Sequence, residues 1–262
     1  MKYKIGDVSS ILGTSTDLLR YYEKRGVVMP EKNVSNNYRY YDAWDINYLL
    51  DCLWFKNFGY SIDQTAEMVR NSDIATLKAE FLEKEDELRE NIKRSQLLLR
   101  RSGEYRDDLD KAERLLGVCE ISESPEMVCF INRFGDEYTI NEARNYARSW
   151  LAVMPFNHRY FEISDEHETG YCWGFSLDSS YVDALGFDAA PPMKVIPARR
   201  CVHTVFRSNG GRGGFDPSLP DYMREFAREH GYNGDGMIYG VLLASVSEGD
   251  LTGYFEAWLP IE

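Results

Sequence analysis

From Ser72 to Gly117 the sequence contains no proline and a single internal glycine, Gly103. Such a run predicts one continuous helix through residues 72–118, longer than a compact domain ordinarily houses. A heptad can be laid through it. Ile74, Phe81, Leu88, Ser95, Ser102, Leu109 and Leu116 take the a positions, and Leu77, Lys84, Asn91, Leu98, Tyr105 and Ala112 the d positions. The polar members make the seam imperfect. With no neighbouring domain in sequence to cover the stripe, a partner chain is the natural cover; packing on the chain's own domain is the alternative. Either way the helix divides the chain into a segment before it, residues 1–71, and one after it, residues 125–262.

The first segment reads as short helices punctuated by turn residues. Ile5, Val8 and Leu12 mark one helical face that Gly13 ends. Thr14 or Ser15 can cap a second helix that Gly26 stops. Two short helices about a tight glycine turn make a helix-turn-helix candidate. Residues 30–41, with Asn33, Asn36 and Asn37, read as a hairpin-like loop. Asp42 with Asp45, and Ser61 with Gln64, then have the spacing of capping boxes opening two further helices. In the second helix Thr16, Arg20 and Lys24 recur every four residues with Tyr21 beside them, while Leu18, Leu19 and Tyr22 lie on the other side. An exposed stripe of that kind suits a major-groove reader, since arginine can bond guanine edges or phosphate. A merely solvated face fits the same pattern.

After Ser124 the pattern turns to strands. A strand at 128–134, a helix at 141–154 and strands at 159–163 and 171–177 precede a linker with Pro191 and Pro192. The order recurs as strand 201–206, helix 219–230 and strands 237–243 and 252–259. The chain is therefore read as α+β: an all-α winged helix-turn-helix, a long dimerisation helix and a duplicated β-α-β-β unit able to enclose a cleft. Aligning the repeats at their last strands sets Trp173 against Glu256 and Phe175 against Trp258.

The net charge of −13 speaks against a nucleic-acid binder, which usually carries a basic patch. Yet residues 1–71 hold nine basic and nine acidic side chains, so the deficit falls entirely downstream. Five cysteines without a CxxC pair suggest reduced thiols, and the first residues lack the apolar run of a secretion signal, so a cytoplasmic protein without a membrane anchor is expected. Four scattered histidines show no HExxH, so a metal site is not expected. Asn209 to Gly214 lacks the spacing of a phosphate loop, and no cofactor is expected.

Four words in order, Ile5-Gly6-Asp7-Val8, Leu19-Arg20-Tyr21-Tyr22-Glu23, Tyr38-Arg39-Tyr40-Tyr41 and Phe58-Gly59-Tyr60-Ser61, closely resemble the signature of the MerR family of transcription regulators. The resemblance covers residues 3–71. It implies that the helix bearing Arg20, Tyr21 and Tyr22 enters the major groove, that Tyr38, Arg39 and Tyr40 form a wing on the DNA backbone, and that Lys56 holds phosphate in a second wing. Thr16 and Lys24 join them from the stripe. The resemblance also implies a homodimer through an antiparallel coiled coil, a pseudo-palindromic operator, and a complex with promoter DNA and RNA polymerase holoenzyme. There, distortion of an overlong promoter spacer is the switch.

The duplicated unit, with Tyr254-Phe255-Glu256-Ala257-Trp258, resembles the GyrI-like effector domain of multidrug-sensing regulators. That implies a small-molecule effector held by Glu256 among aromatic rings, with Tyr254 and Trp258 on its face of the strand and Trp173, Phe175, Tyr171, Tyr222, Phe226 and Tyr239 in the wall. One carboxylate among rings suits a bulky organic cation; an ordinary aromatic core is the plainer reading. Two other functions stay open. Cys119 and Cys129 flank the junction where metal-sensing relatives place thiols, and some stand-alone GyrI-like proteins are thought to be hydrolases. Attachment to a promoter-binding module favours sensing over turnover.

Overall fold

The protein is described by a computed structural model covering residues 2–33, 38–135, 137–139, 146, 148–209, 215–248 and 250–262. It divides into two compact units, Met1–Ile92 and Lys93–Glu262.

In the first unit, β1 (Tyr3–Lys4) leads into α1 (Ile5–Leu12) and α2 (Thr16–Lys24), followed by β2 (Glu31–Lys32), β3 (Arg39–Tyr41), α3 (Ala43–Asn57) and α4 (Ile62–Asn71). Gly13 closes α1 in the left-handed region at φ 61°, which a side chain rarely adopts. The Ser15 hydroxyl then accepts the Leu18 N–H and starts α2. Asp42 with Asp45 and Ser61 with Gln64 form the reciprocal capping boxes that their spacing predicts. Val8, Leu19, Tyr22, Tyr41, Leu49 and Cys52 fill one core. The three short strands pair antiparallel in the order β1-β3-β2, so the wing is a small sheet set against the helices. The loop asparagines Asn36 and Asn37 lie outside the described residues.

The long helix is α5, Ile74–Arg114, without interruption at Gly103. In the first unit its Phe81 closes an aromatic cluster with Trp54, Phe55, Phe58 and Tyr60 at centroid distances of 5.1–6.1 Å. Lys84, a d position of the heptad, is buried with its ammonium 4.8 Å from the Tyr60 ring centroid. Leu88 and Ile92 remain exposed.

The second unit carries the last turns of α5, then β4 (Glu120–Glu123), β5 (Met127–Phe134), β6 (Glu137–Tyr138), β7 (Asn157–Ile163), β8 (Tyr171–Asp178), α6 (Ser179–Leu185), β9 (Lys194–Ile196), β10 (Arg200–Asn209), α7 (Tyr222–Glu229), β11 (Ile238–Glu248) and β12 (Asp250–Pro260). The strands form one sheet in the order β4-β10-β12-β11-β7-β8-β5-β6, with β9 on β5. The triplet β10-β12-β11 meets β7-β8-β5 back to back, as two copies of a β-α-β-β unit joined along β11 and β7 would. The first copy's expected helix at 141–154 falls partly outside the described residues; 146 and 148–152 are helical.

Alternation along the strands sends side chains to two faces. One face buries Phe161, Val202, Phe206 and Phe255 under Met223 and Ala227 of α7. The other buries Tyr160, Val205, Tyr239 and Trp258 under Ala112 and Leu115 at the end of α5. Burial of a side chain such as Leu115 stabilises this junction by roughly 2 kcal/mol. Backbone bonds fasten it as well: Gly117 N–H donates to Val205 at 2.8 Å and Val205 N–H to Leu115 at 3.1 Å. Ala112 is thus covered by the chain's own sheet, while Leu99 on the same helix stays open to solvent. At Gly240 a Cβ would stand 2.0 Å from the Glu256 carbonyl oxygen and 2.5 Å from the Phe161 ring, so only glycine lets that ring lie across β11.

Candidate functional site

The DNA-reading residues of the sequence occupy α2 and the wing. Arg20 and Lys24 are exposed on α2, with the Arg20 guanidinium 2.9 Å from Asp17, and Thr16 is half-buried at its first position. Tyr38 is exposed, Arg39 and Tyr40 are half-buried in or beside β3, and Lys56 is exposed in the last turn of α3. Arg39 Nε donates to Glu23 at 2.7 Å and the Tyr41 hydroxyl bonds the same carboxylate, which fixes the wing to α2. The Tyr21 hydroxyl donates to Asp63 at 2.5 Å and accepts from Arg25 at 2.9 Å. Arg25, which sequence spacing did not single out, also pairs with Asp63 at 2.7 Å, so a cation stands where α2 meets α4.

Tyr22 departs from the expectation. Its ring is fully buried and its hydroxyl lies 3.3 Å from that of Thr65. It follows Leu18 and Leu19 by four and three residues, so helical geometry turns it inward, away from the face of Arg20. It presents no surface to a nucleic acid in this structure; it is a core residue.

In the second unit a cavity of about 750 Å³ lies between the polar face of α5 and the sheet. Arg101, Glu104, Asp108 and Lys111 recur at three- and four-residue steps, which sets them on one side of the helix above it. Glu256, 4% exposed, and Trp258 line it from β12. Lys111 Nζ and His203 Nε2 each lie 2.8 Å from the same Glu256 oxygen, and Lys111 also reaches Asp108 at 3.2 Å. His203 stacks on Trp258 at 5.7 Å and turns Nδ1 toward Ser122 at 3.0 Å. Burial alone would raise the Glu256 carboxyl, but the His203 hydrogen bond and the Lys111 charge outweigh it and hold it below its ordinary value. For Lys111, burial disfavours the ammonium, and Glu256 and Asp108 more than compensate, so its value rises. The result is an ionised carboxylate on the cavity surface, already paired with a cation from α5. Elsewhere in the cavity wall His158 is pushed down by burial and by Arg101, whose guanidinium stands 3.1 Å away.

The expected aromatic wall is distributed differently. Tyr254 and Tyr239 share the face of Glu256, where Tyr239 is buried and donates its hydroxyl to Ser124 at 2.9 Å. Trp173, Tyr171, Tyr222 and Phe226 pack on the opposite face with Phe161 and Phe255, and Phe175 packs against Trp150. The repeat alignment is therefore out of phase: it sets Trp173, which packs with Phe161 and Phe255, against Glu256, which faces α5. A strand has period two, so a slip of one residue moves every side chain to the wrong face. The residues that do meet Glu256, namely Lys111 and His203, come from distant segments that no local pattern connects.

The thiols suggested as an alternative sensor stand apart from other ligating side chains: among the described residues neither Cys119 nor Cys129 belongs to a group of three that could hold a metal ion, and burial pushes them up to about 11 and about 12. All five cysteines are free. No helix among the described residues is long and apolar enough to cross a membrane.

Residues 3–72 match the family described as MerR HTH family regulatory protein. The chain is 29% identical over 128 residues to the HTH-type transcriptional regulator CueR of Escherichia coli O6:H1, covering 44% of this chain and 95% of that protein. It is 32% identical over 69 residues to the HTH-type transcriptional activator mta of Bacillus subtilis, covering 26% of this chain and 27% of that one. Among solved structures it is similar to EcmrR in its complex with DNA, at 17% identity over 99% of both chains with a TM-score of 0.36. The helix-turn-helix, wing and capped helices of residues 3–72 are a DNA-binding transcription-regulator domain of the MerR family.

Proposed function

We propose that the chain is a ligand-responsive regulator that binds a pseudo-palindromic promoter operator as a homodimer and changes the spacer DNA when an organic cation enters the cavity over Glu256. One observation carries this reading: the cavity holds a buried, ionised carboxylate whose counter-ion, Lys111, sits on the long helix α5. An incoming cation competes with Lys111 for Glu256, so binding acts directly on the helix. The exposed Leu88, Ile92 and Leu99 on α5 supply apolar surface for a second copy. A promoter complex with RNA polymerase holoenzyme, and a GyrI-like effector domain at residues 125–262, belong to the same reading. The fixed charges in the wall make it more polar than an aromatic cage.

The test is transcription in vitro from the promoter that the protein binds, with tetraphenylphosphonium and the neutral triphenylphosphine oxide as effectors. Glu256→Gln should weaken the cation at least tenfold more than the neutral compound, one tenfold step being about 1.4 kcal/mol. Equal losses for both would remove charge pairing from the mechanism.

A further inference from the structure

The hairpin joining β7 to β8 carries a second cluster, separate from the cavity, that neither the sequence spacing nor the regulator reading assigns. Glu162 on β7 and Cys172 on β8 are cross-strand partners, and His167 lies in the turn between them. The turn is folded back by its own backbone. Ser164 N–H donates to Gly170 at 3.0 Å, His167 N–H to Ser164 at 3.1 Å and Gly170 N–H to His167 at 2.8 Å. Imidazole, thiol and carboxylate are thereby brought together: Nε2 to Oε2 3.1 Å, Sγ to Nε2 3.5 Å, Sγ to Oε2 3.5 Å.

Two readings of such a triad can be separated by geometry. A nucleophile relay places the thiol and the carboxylate at opposite nitrogens of the imidazole, so that a proton can pass through the ring. Here both approach the same atom, Nε2, and three donor atoms face a common point. A tetrahedral zinc ion has bonds of about 2.0–2.1 Å to nitrogen and oxygen and about 2.3 Å to sulfur, which separate its ligands by about 3.3 Å for N···O and about 3.5 Å for S···N and S···O. The observed triangle agrees with these edges to about 0.2 Å.

The surroundings point the same way. Glu162 is 1% exposed and Cys172 is fully buried, while His167 reaches the surface. Among the described residues, the only ion-pair partner of Glu162 is His167, so no lysine or arginine among them neutralises this buried carboxylate. Its other oxygen accepts the Tyr160 hydroxyl at 3.0 Å, which orients the carboxylate and leaves Oε2 turned toward the cluster. We infer that Glu162, His167 and Cys172 form a binding site for a divalent ion of borderline softness, zinc in the first instance. The thiol releases its proton to solvent on binding, and one coordination position stays open. The site ties the last two strands of the first repeat together at their turn. It is independent of the effector reading.

Zinc stoichiometry on the metal-stripped full-length protein, measured by mass spectrometry, and the spectrum of its cobalt(II) form test this. Wild type should take up one zinc per chain, and its cobalt form should show a thiolate-to-metal charge-transfer band with the intense visible bands of tetrahedral cobalt. Cys172→Ser should lose the charge-transfer band and Cys119→Ser should keep it. His167→Ala, in a turn that reaches solvent, should weaken zinc while leaving the circular dichroism unchanged. Tyr160→Phe should weaken it roughly tenfold or more, as loss of an orienting partner does. A wild-type protein that takes up no zinc, or a charge-transfer band that survives Cys172→Ser, overturns the site.

Discussion

If Lys111 is the counter-ion that an effector replaces, removing it should tighten cation binding. Lys111→Met keeps most of the stem and deletes the ammonium that lies 2.8 Å from Glu256. Stripping one partner from a buried ion pair costs about 3–5 kcal/mol when the remaining charge is left alone. Glu256 is not left alone, because His203 Nε2 still donates to the same oxygen at 2.8 Å. The loss then falls to that of one charge-assisted hydrogen bond, and about 2 kcal/mol is the working figure. In the wild type an incoming cation must break that contact, whereas in the variant it is already absent. The affinity for tetraphenylphosphonium should rise by up to the same amount, about thirty-fold in Kd. Isothermal titration calorimetry with triphenylphosphine oxide as the neutral control reads the difference, and Lys111→Met combined with Glu256→Gln should erase the gain. Unchanged or weaker cation binding by a folded Lys111→Met protein would refute the exchange.

Two further outcomes follow from the same geometry. Tyr22→Phe should leave operator affinity in a gel-shift assay within twofold of wild type and cost about 1 kcal/mol of stability through the Thr65 contact, whereas Arg20→Ala should abolish specific binding in a folded protein. A large loss of affinity in Tyr22→Phe would return that hydroxyl to the DNA face. Acid should act on Glu256 in a definite direction. Its folded value lies below the ordinary one, so its contribution to stability is complete above the unfolded value and disappears as pH falls through the folded value. The difference in Tm between wild type and Glu256→Gln should accordingly hold near neutrality and shrink in acid; a gap that widened in acid would contradict the pairing.

What the sequence made legible follows the range of its signals. The caps at Ser15, Asp42 and Ser61 are written within four residues, and each appears as read. The continuous helix through Gly103 is legible because helix interruption is also a local matter. The duplicated strand order was readable from spacing, yet its register was not, since one residue decides the face and Trp173 fell on the wrong one. The contacts of Glu256 lie beyond any local pattern. Lys111 and His203 reach it across 145 and 53 positions, because α5 returns over a sheet whose central strands belong to different repeats. The grouping of Glu162, His167 and Cys172 escaped the sequence for a different reason. Glu162, His167 and Cys172 lie five residues apart, a spacing that fits no helical ligand motif and becomes meaningful only when a hairpin folds the middle residue onto a cross-strand pair.

The charge distribution bears on the kind of effector. The N-terminal segment is neutral and the acidity lies after it, and the cavity wall repeats that bias with six carboxylates against four arginines and lysines. Such a cavity attracts cations at a distance and leaves few of its carboxylates unpaired, since Glu256, Asp108, Glu104 and Glu120 already meet Lys111, Arg101, Arg100 and Arg114. On the proposed reading, binding there would be exchange of one cation for another rather than capture by a vacant anion. Exchange tolerates guests of different shape, because each recovers the same carboxylate, and it makes affinity depend on how easily the tethered cation moves. Lys111, the cation that the proposed exchange would displace, is anchored to α5. In the proposed regulator that mounting would let ligand binding act on the helix itself.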